Sequence, residues 1–288
     1  MQKKIKIYQI DAFTDKPFGG NSAGVTFSND LSEKEKQLIA KEMNVAETAF
    51  LSNSEKADYK LQWFTPTTEI ELCGHGTIAS IHFLYEENKL KSKQDLTFHT
   101  LSGILKCKIE DNKYFMQIPI FEMEEFDECK QELISILDIH PTMLDDKVPF
   151  IQLSSKNVYI YIKELKDLHK IKPDFKALKE LSLKNNLGGI VVFTLETIDK
   201  SSFAHSRYFT PSHGIDEDPV TGSTNGPLLL VLEKLGFIKN PGKEISLIFE
   251  QGDVMGRRGR IGVSYYRDIN ELYISGNAVT VLKGEMIF

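Results

Sequence analysis

The chain has 288 residues, 41% of them hydrophobic and 26% charged, which is the balance of an ordinary globular protein with a core of its own. Acidic residues outnumber basic ones, 41 to 35, for a net charge of −6; this excludes a global basic field for nucleic acid. Cys73, Cys107 and Cys129 are an odd set without CxxC spacing, against a disulfide framework or zinc knuckle. No run reaches the roughly 18 apolar residues of a membrane span.

In chain order, Lys4–Ile10 alternates as a strand does, and the following segment lacks the apolar core of a signal peptide, so a cytoplasmic location is expected. Ser32–Glu42 reads as an amphipathic helix with Ser32 and Glu35 as a capping box. Ala57–Trp63 alternates and ends at Phe64-Thr65-Pro66, where proline stops a ladder. A helix is predicted over Thr77–Glu87. Leu96–Glu110 and Lys113–Ile118 are predicted to pair through Asp111-Asn112. Asn157–Ile162 and Gly189–Thr194 read as strands, with a helix over Asp174–Leu183 between them. A second Phe-Thr-Pro, at Phe209-Thr210-Pro211, precedes a helix over Thr224–Leu235 that is apolar all round, hence buried, with Gly236 as its C-cap. Ile245–Glu250, Arg260–Tyr266 and Glu271–Leu282 complete the strands; the intervening Gln251–Arg260, including Arg257-Arg258, reads as a glycine-rich hairpin.

The two Phe-Thr-Pro triplets lie 145 residues apart, and Gly74 and Gly222 lie 148 apart, close to half the chain. Two nearly equal offsets indicate a duplicated unit, with a period too long for a solenoid. The expectation is an α+β protein of two similar lobes, 1–140 and 141–288, with the C-terminal end free to pack back on the first.

Each lobe opens a helix at a glycine, and helix N-termini present free N–H groups and a positive dipole end. Related by a pseudo-twofold axis, the two ends can face one another across a cleft suited to a small carboxylate. The plainer reading of Gly74 and Gly222 is a tight strand-to-helix turn. Asp218 and His75, beside the two starts, read either as an acid/base pair or as local helix-start groups bonded to backbone. Glu47, among small and apolar residues, reads as a solvent-facing strand glutamate or as a buried acid with a function. Cys73 has no thiol partner in the matching Asp218–Ser223 region, so symmetric two-thiol chemistry is not expected. Cys73 with His75 is too few ligands for a metal site. No Walker or Rossmann glycine pattern is present.

Taken together, Asp11-Ala12-Phe13, Phe18-Gly19-Gly20-Asn21-Ser22-Ala23-Gly24-Val25, Ala46-Glu47-Thr48-Ala49-Phe50, Phe64-Thr65-Pro66, Cys73-Gly74-His75-Gly76-Thr77, Glu217-Asp218-Pro219-Val220-Thr221-Gly222-Ser223 and Gln251-Gly252 resemble, in this order, the phenazine-biosynthesis PhzF-like isomerase family. The resemblance covers nearly the whole chain. It implies a fold like diaminopimelate epimerase, two pseudo-symmetric lobes each with a barrel-like antiparallel sheet around a central helix, and a site between them without metal or organic cofactor. It makes Glu47 the general acid/base, with His75 and Asp218 assisting, and it gives Asn21, Gly74, Gly222 and Ser223 to binding a small carboxylate substrate. It also implies a homodimer. The family usually has proline at Ser22 and alanine at Gly76. An amino-acid epimerase or racemase of the same fold, and a non-catalytic carboxylate-binding protein, are the rival readings.

Overall fold

The computed structural model describes residues 2–90, 95–239 and 242–288. Along the chain lie β1 (Lys4–Ala12), β2 (Asn21–Phe27), α1 (Glu33–Met43), β3 (Glu47–Ser52), β4 (Tyr59–Phe64), β5 (Glu69–Ile70), α2 (Gly74–Glu86), β6 (Asp95–Thr100), β7 (Gly103–Glu110), β8 (Lys113–Ile118) and β9 (Met123–Glu125). Then come α3 (Lys130–Ile136), β10 (Ile151–Leu153), β11 (Asn157–Tyr161), α4 (Leu165–Lys170), α5 (Phe175–Lys184), β12 (Gly189–Thr194), β13 (Ala204–Thr210), β14 (Ile215–Asp218) and α6 (Gly222–Lys234). The last four are β15 (Glu244–Gln251), β16 (Gly259–Tyr266), β17 (Glu271–Gly276) and β18 (Ala278–Ile287). The chain divides into two compact units, residues 1–118 with 273–288, and residues 119–272. The expected boundary at 140/141 therefore lies 22 residues too late. The prolines of His140–Phe150 mark an ordinary connection inside the second unit, ahead of β10.

In the first unit the sheet runs β18-β1-β2-β3-β4-β6-β7-β8. The β1–β2, β3–β4 and β6–β7 pairs are antiparallel, and β2–β3 and β4–β6 are parallel. The C-terminal β18 pairs with β1 along its length, from Lys4 opposite Ile287 to Ala12 opposite Ala278. The helix α2 packs on β1, β2, β3, β8 and β18, and its residues from Gly74 to Ile81 are all buried. A helix surrounded by sheet must be apolar on every side.

In the second unit the order is β9-β10-β11-β12-β13-β15-β16, with β10–β11, β12–β13 and β15–β16 antiparallel and β11–β12 and β13–β15 parallel. The succession antiparallel, parallel, antiparallel, parallel, antiparallel is that of β1 through β7, so the duplication extends to topology. The apolar Leu228–Leu232 stretch of α6 is buried, as its pattern requires. Pairing is mostly antiparallel, as expected, with two parallel pairs in each unit.

Most boundaries agree with the sequence pattern within three residues. Ser32 caps α1 with the reciprocal Glu35 bond of a capping box, and Asp174 caps α5. Asp111 and Asn112 both adopt positive φ in the β7–β8 turn, where two-residue hairpins favour such residues. Leu96–Glu110 is two strands, broken at Leu101-Ser102, and Glu271–Leu282 is broken at Asn277. The strands β2, β5, β9, β10 and β14 were not read from the sequence; β2 is almost wholly buried, so no alternation marks it.

Candidate functional site

The first unit brings Asn21, Glu47, Cys73, Gly74 and His75 together. Asn21 opens β2, Glu47 opens the neighbouring β3 through the parallel pairing Ala23 opposite Glu47, and His75 is the second residue of α2. Glu47 is only 6% exposed and His75 5%, so the solvent-facing reading of Glu47 does not hold. Glu47 Oε2 lies 2.9 Å from His75 Nε2, yet it has no aligned hydrogen-bond donor: it is ion-paired, with acceptor capacity to spare. On the far side of the ring, the Asn21 side-chain amide lies 3.1 Å from His75 Nδ1, with donor and acceptor set by the protonation of the ring.

Burial opposes charge on His75, but the adjoining Cys73 and Glu47 outweigh it and push the imidazole well above its usual pKa. Burial pushes the Cys73 thiol up as well, with Glu47 adding to the effect and His75 opposing it. A thiol so raised is uncharged at neutral pH, so the partner that matters to His75 is Glu47. Cys73 is instead the N-cap of α2: its sulfur accepts from Gly76 N at 3.3 Å and stands 3.7 Å from His75 Nδ1.

The second unit brings Asp218, Gly222 and Ser223 together. Asp218 ends β14, opposite Tyr208 on β13, and Gly222 and Ser223 begin α6, whose cap residue Thr221 makes no side-chain bond to a helix amide. Thr221 Oγ1 donates instead to Asp218 Oδ2. Asp218 is 7% exposed.

Gln251 is the residue that sequence reasoning underweighted. It is 1% exposed. Its Oε1 accepts from Thr221 N at 2.9 Å and Asn225 Nδ2 at 2.6 Å, and its Nε2 donates to Asp218 O at 2.7 Å and Thr221 Oγ1 at 3.2 Å. The signal available was its place in the glutamine-glycine pair, read as part of a hairpin and of the family resemblance but given no role of its own.

Among the described residues, two clusters carry donor types that divalent metals accept: Glu47, Cys73 and His75, and His205, Glu250 and Asp253, each with ligand atoms within 4.8 Å of one another. In the second, Glu250 already accepts from the amides of Ile198 and Asp199 and faces His205 Nδ1 at 2.9 Å. There Arg258 and Arg260 stand 3.1 and 3.3 Å from Asp253, and their charges oppose a cation. In the first, the sulfur is a protonated thiol, and metal binding would have to displace that proton.

Residues 10–284 match the family described as Phenazine biosynthesis-like protein. A protein of Clostridium acetobutylicum named as an uncharacterized isomerase is 38% identical, over 100% of this chain and 99% of its own length. The crystal structure of a Bacillus anthracis phenazine biosynthesis protein of the PhzF family, 32% identical, superposes with a TM-score of 0.92 over 99% of this chain and 100% of that one. A hydroxyproline epimerase from Agrobacterium vitis shares the fold at 11% identity and a TM-score of 0.63, over 99% of this chain and 93% of its own. Among the described residues no helix is long and apolar enough to cross a membrane.

Proposed function

The chain belongs to the phenazine biosynthesis-like family, and from that premise we propose that it is an isomerase that moves a proton within a small unsaturated carboxylate, with Glu47 as the general acid/base. The observation that carries this reading is the state of Glu47: buried, with the same Oε2 that faces His75 Nε2 at 2.9 Å lacking an aligned hydrogen bond. A buried carboxylate whose hydrogen bonds are complete is structural; one with acceptor capacity in hand can take a proton.

In the reaction Glu47 removes a proton from one carbon and returns it to another, so the bond shift is balanced without any other reactant. The His75 imidazolium stands beside the carboxylate. It offsets charge developing on the substrate when the proton leaves, as fixed charges in a dry site do. Asn21 orients the ring. The roles that the family resemblance gives to Asp218, Gly222 and Ser223, an assisting acid and amides for a substrate carboxylate, belong to the same proposal. Support for the amides is that the cap residue of α6 does not engage them; free N–H groups at a helix start suit an anion. An epimerase reading with equivalent acceptors in each unit gains no support: the positions matching Glu47 and Cys73 in the second unit are Gly189 and Thr221.

The test is deuterium uptake in D₂O across a panel of small unsaturated and amino-substituted carboxylates, including a dihydro-hydroxyanthranilate, followed by mass spectrometry. Label entering one compound at a rate reduced roughly 10²–10⁴-fold in Glu47→Gln, and reduced at least about tenfold in Asp218→Asn, is expected. Exchange that survives Glu47→Gln at full rate, or binding without any exchange, would overturn the proposal; the second result favours a non-catalytic carboxylate-binding protein.

A further inference from the structure

Helix α6 begins in an unusual way. A threonine N-cap ordinarily turns its hydroxyl back to accept from an amide of the first turn. Thr221 does not; its hydroxyl is spent on Asp218 Oδ2. The turn Asp218-Pro219-Val220-Thr221 is therefore without its own side-chain cap, and the end of β15 supplies bonds to it. Gln251 uses both ends of its amide there, two acceptances at Oε1 and two donations at Nε2. Because Nε2 donates to Thr221 Oγ1, that hydroxyl is left with its proton for Asp218. The three groups form one directed chain, from the Gln251 amide through the Thr221 hydroxyl to the Asp218 carboxylate.

The hairpin that follows closes on the same turn. Gly252 has φ of +91°, and a Cβ there would lie 2.6 Å from Pro219 O and 2.3 Å from Arg257 O; a Cβ on Gly259 would lie 2.3 Å from the Val220 side chain. Bare backbone at both positions lets the strand ends seat directly on Pro219-Val220. One residue upstream, Glu250 is pinned by His205 and the amides of Ile198 and Asp199, so the platform under Gln251 does not shift.

We infer that Gln251 is a positioning residue that acts through Thr221 to hold Asp218 in its working orientation. The inference rests on the reading of Asp218 as a group that assists proton transfer. Gln251→Leu removes all four bonds at similar volume. Gln251→Glu keeps the acceptors for Thr221 N and Asn225 and loses the two donations.

Two measurements on the full chain test this. The first is backbone hydrogen exchange by mass spectrometry: residues 218–225 should exchange at least about tenfold faster in Gln251→Leu while the first unit is unchanged. The second is the deuterium-uptake assay with the panel compound that takes label. There Gln251→Leu and Gln251→Glu should each lower the maximal rate roughly 10²-fold with the half-saturating concentration within about threefold, the scale of a misplaced catalytic group. In an Asp218→Asn background the same changes should cost less than about threefold, because the residue through which Gln251 acts is already disabled.

Unaltered exchange at 218–225 overturns the inference, as does a full, additive loss in the Asp218→Asn background or an undiminished rate in both Gln251 variants. A panel in which no compound takes label counts against the proposed function, and the hydrogen-exchange result then still decides whether Gln251 clamps the turn.

Discussion

Among the described residues stand two buried glutamate–histidine pairs at the same distance, 2.9 Å, one in each unit: Glu47 with His75 and Glu250 with His205. Their surroundings set them apart. Glu250 receives His205 and two backbone amides, with Arg260 nearby, and these outweigh burial and bring its carboxyl down to about 2. It is a finished structural joint. Glu47 has one ion-pair partner, and the oxygen that faces it lacks an aligned donor, while His75 is pushed toward its cationic form. A pair at one distance can be a rivet or a working acid/base, and the count of remaining donors decides which.

The duplicated frames show the same asymmetry. The β3 position of Glu47 corresponds to Gly189 on β12, where a Cβ would meet the Tyr208 ring at 2.6 Å. The β14 position of Asp218, opposite Tyr208, corresponds to Ile70, opposite Trp63. One topology has been loaded with different groups in each copy.

Exchanging the two glutamates for glutamine gives the largest expected contrast. Glu47→Gln should lose the proton-transfer rate by roughly 10² or more and lower the melting temperature by less than Glu250→Gln does, through loss of the His75 pair alone. Glu250→Gln, which removes the carboxylate shared by His205 Nδ1 and the Ile198 and Asp199 amides, should lose on the order of 3 kcal/mol of stability, read by urea denaturation. Equal stability losses in both variants would erase the distinction drawn between the pairs.

The helix starts give a smaller contrast. Gly76, third in α2, corresponds to Thr224 in α6. A Cβ on Gly76 would lie 2.9 Å from Cys73 Sγ and 2.9 Å from Trp63 Cδ1. Alanine's gain in helix propensity is below about 1 kcal/mol, and the clash should exceed it, so Gly76→Ala is expected to destabilise by roughly 1–2 kcal/mol. A raised melting temperature would show that Trp63 and Cys73 yield freely.

The pH dependence of stability is the subtlest comparison, since the two pairs should fail at opposite ends. Folded His75 holds its proton more tightly than unfolded His75. Its contribution is complete below about pH 6.5 and is lost as pH rises through its raised folded pKa. Folded Glu250 releases its proton more readily than unfolded Glu250. Its contribution is complete above the ordinary 4.5 and is lost as pH falls toward 2. Melting temperature against pH should therefore flatten on the alkaline side in His75→Gln and on the acid side in Glu250→Gln. Flattening on the wrong side in either variant would refute the assignment.

The Phe-Thr-Pro and glycine offsets made the duplication legible in the sequence, because a strand stop and a tight helix entry each demand a specific backbone. Buried helices and capped helices were legible for the same local reason: apolar residues all round α6, a capping box at Ser32. Glu47 stood out as an acid in an apolar run, and the family resemblance gave it a role. The tertiary structure alone decided that the C-terminal strand pairs with β1, which puts the unit boundary at 118 and 272, since a pairing 270 residues distant leaves no local pattern. It alone showed that Glu47 is buried and short of donors while Glu250 is saturated, and that Gln251 supports a turn 30 residues away. Hydrogen-bond completeness depends on atoms from several strands at once, and a linear pattern records residue types without recording which of their lone pairs are already taken.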